Sequence, residues 1–175
     1  MTREKFLQRL FEPGESTCFS SNPYGTEIKN APSQEDVYFS INPMHTSRAD
    51  SNVTSYRNFL LEIDSIPLNQ QIELVRNKLP VTAITFSGSK SYHFIISLIE
   101  PVNTETDYRR IVRGLMEAVP EADKSTKNPS RLSRLPFAVR PETGLLQELV
   151  YLGNRVSLAE LPTAKPYHEP TEKSK

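Results

Sequence analysis

The stretch that decides the fold runs from Phe59 to Leu98 and reads FLLEIDSIPLNQQIELVRNKLPVTAITFSGSKSYHFIISL. It opens with an apolar run that carries two acids, Glu62 and Asp64, at alternate positions. Because side chains alternate across a strand, this pattern predicts a strand with both carboxylates on one face. Two carboxylates this close repel each other, and a divalent cation between them relieves the repulsion. Their hard oxygen atoms suit Mg²⁺ or Mn²⁺, although a strand with one solvated face has the same pattern.

The rest of the stretch predicts a helix followed by two strands. Pro67 is typical of a helix start, and apolar residues then recur at helical spacing, namely Leu68, Ile72, Val75 and Leu79. The β-branched run Val81–Phe86 predicts a strand, and the small residues of Ser87–Ser91 predict a turn. Tyr92–Leu98 predicts a second strand, which we expect Pro101 to end.

The N-terminal side of this stretch predicts one helix, one strand and much loop. Apolar spacing predicts a helix over Thr2–Phe11. Residues 13–35 are rich in Pro, Ser, Gly and Asn and indicate a loop, with a hairpin near Pro23–Gly25. Val37–Ile41 predicts a strand, and residues 42–53 a polar loop whose Arg48 could reach a phosphate or form a surface ion pair.

The C-terminal side predicts a helix, a last strand and a tail. The helix starts at Thr104 or Thr106 and runs through Val119, and Leu145–Leu152 predicts a strand. From residue 158 the chain is polar and contains several prolines, and its His168 is not expected in a site. We therefore expect one catalytic domain over residues 1–157 and a tail or linker over residues 158–175. The element order predicts an α/β fold with a largely covered sheet.

Composition bounds the class of protein. A chain of 175 residues with a net charge of zero is long enough for one globular domain and has no overall attraction to nucleic acid. Its single cysteine, Cys18, excludes an internal disulfide and a Cys-rich zinc site. The start of the chain has no signal-peptide pattern, and the longest apolar run, Phe94–Ile99, is too short to span a bilayer. These features predict a cytoplasmic protein that does not enter the membrane.

A basic segment follows the last predicted helix. Between Lys124 and Arg140 the chain carries five basic residues and no acid, and the other three are Lys127, Arg131 and Arg134. This local positive charge suits phosphate binding, for which arginine offers forked donors. A solvated basic loop is the alternative interpretation.

Taken together and in this order, these features resemble the archaeo-eukaryotic primase superfamily over about residues 37–150. Its first motif is an acidic pair on a strand, here Glu62-Ile63-Asp64, and its second is S-x-H after an earlier S-G, here within SGSKSYH at 87–93. The third is an acid, here Asp123, followed by a basic run, here RLPFAVRPETG at 134–144. The last run is the most specific of the three. The resemblance implies a two-layer α/β primase fold with an RRM-like mixed sheet flanked by helices.

The resemblance also implies roles for individual residues. Glu62 and Asp64 would hold two catalytic metal ions, with Asp123 as the third carboxylate. The triphosphate of the incoming nucleotide would be contacted by Ser87, Lys90, Ser91, His93, Arg134 and Arg140. Further contacts to template or phosphate are expected from Arg48, Lys127 and Arg131. The sequence departs from the family in having Glu at position 62, in an Asp123 placed about one residue closer to the basic run, and in lacking the family's zinc-binding insertion.

The implied activity is that of a primase or primase-polymerase. Such an enzyme starts and extends a primer on single-stranded DNA from NTPs or dNTPs, using Mg²⁺ or Mn²⁺ and no zinc. The implied partner is a replicative helicase or C-terminal helicase domain, and the compact form suggests a phage or plasmid replicon. Three alternatives share part of the pattern: a repair or gap-filling polymerase of the same superfamily, a metal-dependent nuclease, and a non-catalytic replication-initiator module that binds single-stranded DNA.

Overall fold

The computed structural model describes residues 1–162, which contain three α-helices and eight strands. The helices are α1 (Arg3–Leu10), α2 (Leu68–Arg76) and α3 (Glu105–Ala118). The strands are β1 (Thr17–Ser20), β2 (Ile28–Lys29), β3 (Tyr38–Ser40), β4 (Tyr56–Glu62), β5 (Ala83–Phe86), β6 (Tyr92–Val102), β7 (Leu132–Arg134) and β8 (Leu149–Leu152). Two short 3₁₀ turns cover Asp50–Asn52 and Leu158–Glu160.

The acidic strand lies in a four-stranded sheet with the order β4-β6-β5-β8. All three neighbouring pairs of strands in it are antiparallel. Strands β4 and β5 therefore run in the same direction with β6 between them, and α2 connects them as in a split βαβ unit. The register places His93 of β6 opposite Glu62 on one side and opposite Thr85 on the other. The sheet thus brings the histidine of the second motif directly beside the first acid.

Helices α2 and α3 cover one face of this sheet. The Thr104 hydroxyl accepts a hydrogen bond from the Asp107 amide and so caps α3. The core between sheet and helices includes Phe59, Leu61, Ile63, Phe94, Ile96, Val75, Tyr108, Val112 and Leu115. Burial of Leu61 and Ile63 against the helices sends the alternate side chains, Glu62 and Asp64, to the opposite face.

The opposite face packs on a second antiparallel sheet, of order β2-β1-β3-β7, together with α1. The core here joins residues of the first sheet to residues of the second sheet and α1, among them Leu60, Ala83, Ile95, Phe6, Leu10, Phe39 and Leu135. The rings of Phe6 and Phe39 meet edge to face, with their centroids 5.4 Å apart. Because β7 belongs to this sheet, the basic segment is tied firmly to the fold.

The structure confirms the three predicted helices and corrects several details of the strands. The first sheet is antiparallel rather than mixed, and only one of its faces is covered by helices α2 and α3. Residues 13–35 contain β1 and β2, which pair around the predicted hairpin. Pro101 does not end β6, because the register to β4 shifts between Tyr56 and Asn58 and proline is tolerated in such a bulge.

The C-terminal end of the described chain packs against the body of the domain. Leu158–Glu160 forms a 3₁₀ turn, and Leu161 is buried in the core beneath the helices. The boundary at residue 157 therefore stays a prediction, with folded structure continuing to Leu161. The rest of the predicted tail, including His168, lies outside the described residues. Within residues 1–162, no helix combines the length and apolarity needed to cross a membrane.

Candidate active site

A single cavity of about 340 Å³ is lined by all but two of the predicted site residues. They come from both sheets and from the loops between them: Arg48, Glu62, Asp64, Ser87, Lys90, Ser91, His93, Arg131, Arg134 and Arg140. The remaining lining residues are Pro23, Tyr38, Ser89, Asn128 and Leu132. The cavity therefore joins the three sequence motifs, which lie far apart along the chain.

The two acids of the first motif lie at the end of β4. Glu62 is the last residue of the strand and is half-buried, whereas Asp64 follows the strand and is exposed. The intervening Ile63 is fully buried in the core. Both carboxylates line the cavity, as the alternation of side chains predicts.

Glu62 is held by a buried histidine. Its Oε1 lies 2.8 Å from His93 Nε2, and His93 Nδ1 lies 2.8 Å from Ser133 Oγ. The backbone N–H of Arg134 also donates to Nδ1 over 3.3 Å. Because a backbone N–H can only donate, Nδ1 is the accepting nitrogen, and Nε2 carries the proton given to Glu62. The ring is thus fixed on both sides, and the second carboxylate oxygen of Glu62 accepts no hydrogen bond from residues 1–162.

The surroundings of Glu62 favour its ionised form. Burial alone raises the pKa of this carboxyl. The interaction with His93 and the positive charges of Arg131 and Arg134 outweigh burial, so the pKa of Glu62 lies below its ordinary value. The carboxylate is therefore charged at neutral pH and suited to bind a cation.

The Ser87–Ser91 turn is a compact loop that closes on itself. The Ser87 amide donates to the Ser91 carbonyl over 2.9 Å, and the Ser91 hydroxyl lies 3.1 Å from that of Ser87. Gly88 has a φ of +80°, a conformation that glycine adopts without strain. Gln71 of α2, fully buried, accepts from the Tyr92 amide over 2.9 Å and donates to the Lys90 carbonyl over 3.0 Å. The turn is thereby closed by its own hydrogen bonds and held by α2 at its C-terminal end.

Two arginines of the third motif lie beside this turn. Arg134 places its guanidinium 4.3 Å from the centre of the Tyr38 ring and donates to Gln147 Oε1 over 3.3 Å. Arg140 donates from Nη1 to the Ser87 carbonyl over 3.1 Å. The carboxylate of exposed Glu142 lies 3.4 Å from Arg140 Nε and 4.0 Å from Arg134 Nη1. An anionic group is thus already seated between the two arginines.

Two predicted residues do not line this cavity. The Asp123 amide donates to the Glu62 carbonyl over 2.7 Å, but its carboxylate accepts from the Ser125 amide in a turn of its own loop. Lys127 is exposed and lines a separate groove beside α3. The third carboxylate implied by the family resemblance is therefore not assembled with the other two.

Three positioning residues were missed by sequence reasoning: Gln71, Ser133 and Gln147. Each is buried, and each bonds a site element that is distant in sequence. Gln147, for example, donates to the carbonyls of Val37 and Leu135 while accepting from Arg134. A buried glutamine has no signature in a single sequence, because its partners are known only after folding.

The donor set of the cavity fits a hard divalent cation. No group of three His, Cys, Asp or Glu side chains placed to hold a metal occurs in the described part of the chain. Magnesium sites in phosphoryl-transfer enzymes commonly use one or two carboxylates, with water and substrate phosphates completing the shell. Glu62 and Asp64 meet that requirement, and the nearby arginines and serines are donors for the phosphates.

Comparison with known proteins identifies the fold. No protein-family model matches the sequence, and no curated protein matches it. The structure resembles the AEP domain of the cyanophage S-2L primase-polymerase, with a TM-score of 0.72 and 19% identity, over 91% of this chain and 96% of that domain. The chain therefore has the archaeo-eukaryotic primase fold, and the predicted fold class is confirmed.

Two further solved structures are more distant. The primase RepB′ matches with a TM-score of 0.49 and 14% identity, over 73% of this chain and 41% of that one. The polymerase domain of Mycobacterium tuberculosis ligase D, solved in complex with DNA, matches with a TM-score of 0.49 and 16% identity, over 79% of this chain and 64% of that one. At these identities the function rests on the residues of the cavity.

Proposed function

We propose that this chain is a template-directed nucleotidyltransferase, a primase or primase-polymerase that makes primers on single-stranded DNA. The observation that carries the proposal is the composition of the cavity. Two carboxylates at the end of β4 share it with a serine-rich turn and with Arg134 and Arg140. A metal-dependent nuclease also uses clustered acids, but it has no need for a site that binds a triphosphate.

The carboxylates of Glu62 and Asp64 would hold Mg²⁺ or Mn²⁺. When bound, such ions neutralise phosphate charge and favour a nucleophilic 3′-hydroxyl. The chain's own contribution is to keep Glu62 ionised and oriented. Asp123 is proposed as a third ligand only if its loop rearranges, since its carboxylate is engaged with the Ser125 amide.

The triphosphate would lie against the Ser87–Ser91 turn. Lys90 is exposed at the tip of this turn, and Arg140 is fixed beside it through the Ser87 carbonyl. The carboxylate of Glu142 lies against Arg134 and Arg140, which indicates that the two arginines can bind an anion together. Phosphoryl transfer depends mainly on such positioning and charge neutralisation, so no separate general base is required.

We assign His93 to positioning rather than to direct phosphate contact. Both ring nitrogens are already engaged, one with Glu62 and the other with Ser133 and the Arg134 amide. Hydrogen bonds of this kind orient a metal ligand and tune its affinity for the ion. The triphosphate contacts then fall to Ser87, Lys90, Ser91 and the two arginines.

The remaining parts of the proposal concern substrates and partners. The substrates are NTPs or dNTPs and single-stranded DNA, with Arg48 and Arg131 of the cavity rim near template or phosphate. A helicase, separate or fused, and a cytoplasmic phage or plasmid replicon are the proposed setting. Support for these finer points comes from the motifs and from the fold shared with a phage primase-polymerase domain.

A primer-synthesis assay tests the proposal. The full chain is incubated with unprimed single-stranded DNA, labelled NTPs or dNTPs, and Mg²⁺ or Mn²⁺. We expect products that disappear in Glu62→Ala/Asp64→Ala and persist in a control of equal charge change, Glu73→Ala/Glu100→Ala, on the exposed surface. Extension of an annealed primer without synthesis on unprimed template would support the gap-filling polymerase instead. DNA binding without either reaction would contradict an enzymatic function for this chain.

A further inference from the structure

A second groove, of about 420 Å³, runs along α3 outside the candidate active site. It is lined by Arg109, Val112, Arg113, Met116, Glu117, Lys124 and Lys127. Four of these side chains are cationic and one is anionic. The groove is therefore a positive surface on a chain whose net charge is zero.

The two lysines are the cations free to meet a ligand. Lys124 and Lys127 are exposed, and neither forms an ion pair with a residue in the range 1–162. Lys124 only donates to the Pro120 carbonyl, over 3.1 Å. Arg109, in contrast, is paired with Glu105 and Asp50. A flexible ammonium group without an acidic partner is a typical contact for a phosphate.

The floor of the groove is apolar. Val112 and Met116 lie there, packed into the core beneath α3 with only their outer edges accessible. Methionine is flexible and polarisable, so the accessible edge of Met116 can adapt to an apolar group that lies against it. A single strand presents bases on one side and phosphates on the other. The apolar floor of the groove matches the bases, and its cationic rim matches the phosphates.

One segment, residues 124–131, contributes side chains both to the groove and to the candidate active site. Lys124 and Lys127 of this segment line the groove, whereas Asn128 and Arg131 line the active-site cavity. Asp50 fixes the segment, because its Oδ1 accepts from the Ser130 hydroxyl over 2.7 Å and from Asn128 Nδ2 over 3.1 Å. The groove and the cavity are therefore both bordered by this one anchored loop.

We infer that the α3 groove binds single-stranded DNA, with its phosphates on Lys124 and Lys127, and leads it to the active site. The inference rests on the proposed function, because it takes the strand to be the template. The strand would thus bind on a surface outside the active-site cavity.

The test measures DNA binding as a function of salt. Lys124→Ala/Lys127→Ala is compared with Lys5→Ala/Lys78→Ala, an exposed pair with the same change in charge. A fluorescent oligo-dT is titrated with each full-length variant between 50 and 200 mM NaCl. Loss of two phosphate contacts on a single strand should lower the slope of log K against log[NaCl] by about 1.4, and weaken binding by roughly tenfold or more at 50 mM. Equal slopes and affinities for the two double variants would overturn the inference.

Two further readouts separate this inference from the proposed function. Binding of a fluorescent nucleotide without DNA should be unchanged by Lys124→Ala/Lys127→Ala, since neither lysine lines the active-site cavity. Acetylation of the two lysines in the unmutated chain should be slowed by oligo-dT, while that of Lys5 is not; equal rates would refute the groove. If DNA binding depends on the two lysines but the unmutated chain incorporates no nucleotide on primed or unprimed template, the proposed function fails and the groove remains.

Discussion

Replacing Gly88 by alanine tests whether the serine turn and Arg140 form one phosphate site. A Cβ at this position would lie 2.7 Å from Arg140 Cβ, closer than real Cβ contacts come, and a tight 3.0 Å from its Cδ. The backbone at Gly88 also has a φ of +80°, which costs an L-residue about 1–2 kcal/mol. The substitution therefore combines backbone strain with displacement of Arg140.

The chain offers a control that separates these two effects. Gly14 has a φ of +85°, and a Cβ built there meets nothing within 4 Å. Gly14→Ala should therefore lower the free energy of unfolding by the strain alone, about 1–2 kcal/mol. Gly88→Ala should lose roughly 2–4 kcal/mol, because overpacking and the loss of the Arg140 bond to the Ser87 carbonyl add to the strain.

Urea unfolding followed by circular dichroism gives the two stabilities, and a fluorescent nucleotide gives the affinity of the cavity. We expect nucleotide binding to weaken about tenfold or more in Gly88→Ala, equivalent to about 1.4 kcal/mol, and to stay unchanged in Gly14→Ala. Equal destabilisation in the two variants with unaltered nucleotide affinity would refute the reasoning. That result would show that Arg140 and the turn move independently and do not share a ligand.

Two other predictions follow from buried hydrogen bonds. His93→Ala should weaken Mn²⁺ binding to the nucleotide-free chain by about 10- to 100-fold, as measured by electron paramagnetic resonance, because Glu62 loses its orienting partner; unchanged Mn²⁺ affinity would contradict the positioning role. Asp50→Ala should cost about 1–2 kcal/mol at pH 7, since hydrogen bonds from Ser130 and Asn128 outweigh burial and hold the pKa of Asp50 below its ordinary value. This contribution is present above the unfolded-state pKa and disappears as pH falls through the folded-state pKa, so urea unfolding at pH 3 should show a smaller difference, and an equal or larger one would contradict the assignment.

The parts of the fold that were predicted are those with a local signature. Helices α2 and α3 were found because their apolar residues recur at helical spacing, and β4 because Glu62 and the following Asp64 alternate with buried residues at its end. Strands β1, β2 and β7 were missed because each is short and lies in a segment rich in polar residues. β1 and β2 pair with each other across the predicted hairpin, whereas β1 and β7 also pair with β3, and β7 is far from β3 in the sequence, which local patterns do not encode.

The residues of the site divide in the same way, into those with a local signature and those whose partners are distant in the sequence. Charged residues such as Glu62 and Arg134 are conspicuous in the sequence, whereas the polar residues that orient them are not. Gln147 is fully buried and bonds the carbonyl of Val37, a residue more than a hundred positions earlier. Asp123 shows the converse, because its backbone lies beside Glu62 while its carboxylate is engaged within its own turn.

The glutamate at position 62, where the acidic motif that it resembles usually has aspartate, is explained by its neighbour across the sheet. Glu62 and His93 form a directly opposed pair on β4 and β6, and such pairs place their Cβ atoms about 4.5–5.5 Å apart. The additional methylene of glutamate lets one oxygen reach His93 Nε2 while the other stays clear of any hydrogen bond within residues 1–162. An aspartate there would be shorter, and it would have to give up either the histidine or the reach into the cavity. The glutamate at position 62 therefore goes together with the engagement of both His93 nitrogens. In this arrangement His93 orients the carboxylate, and phosphate binding is left to the serine turn and the arginines.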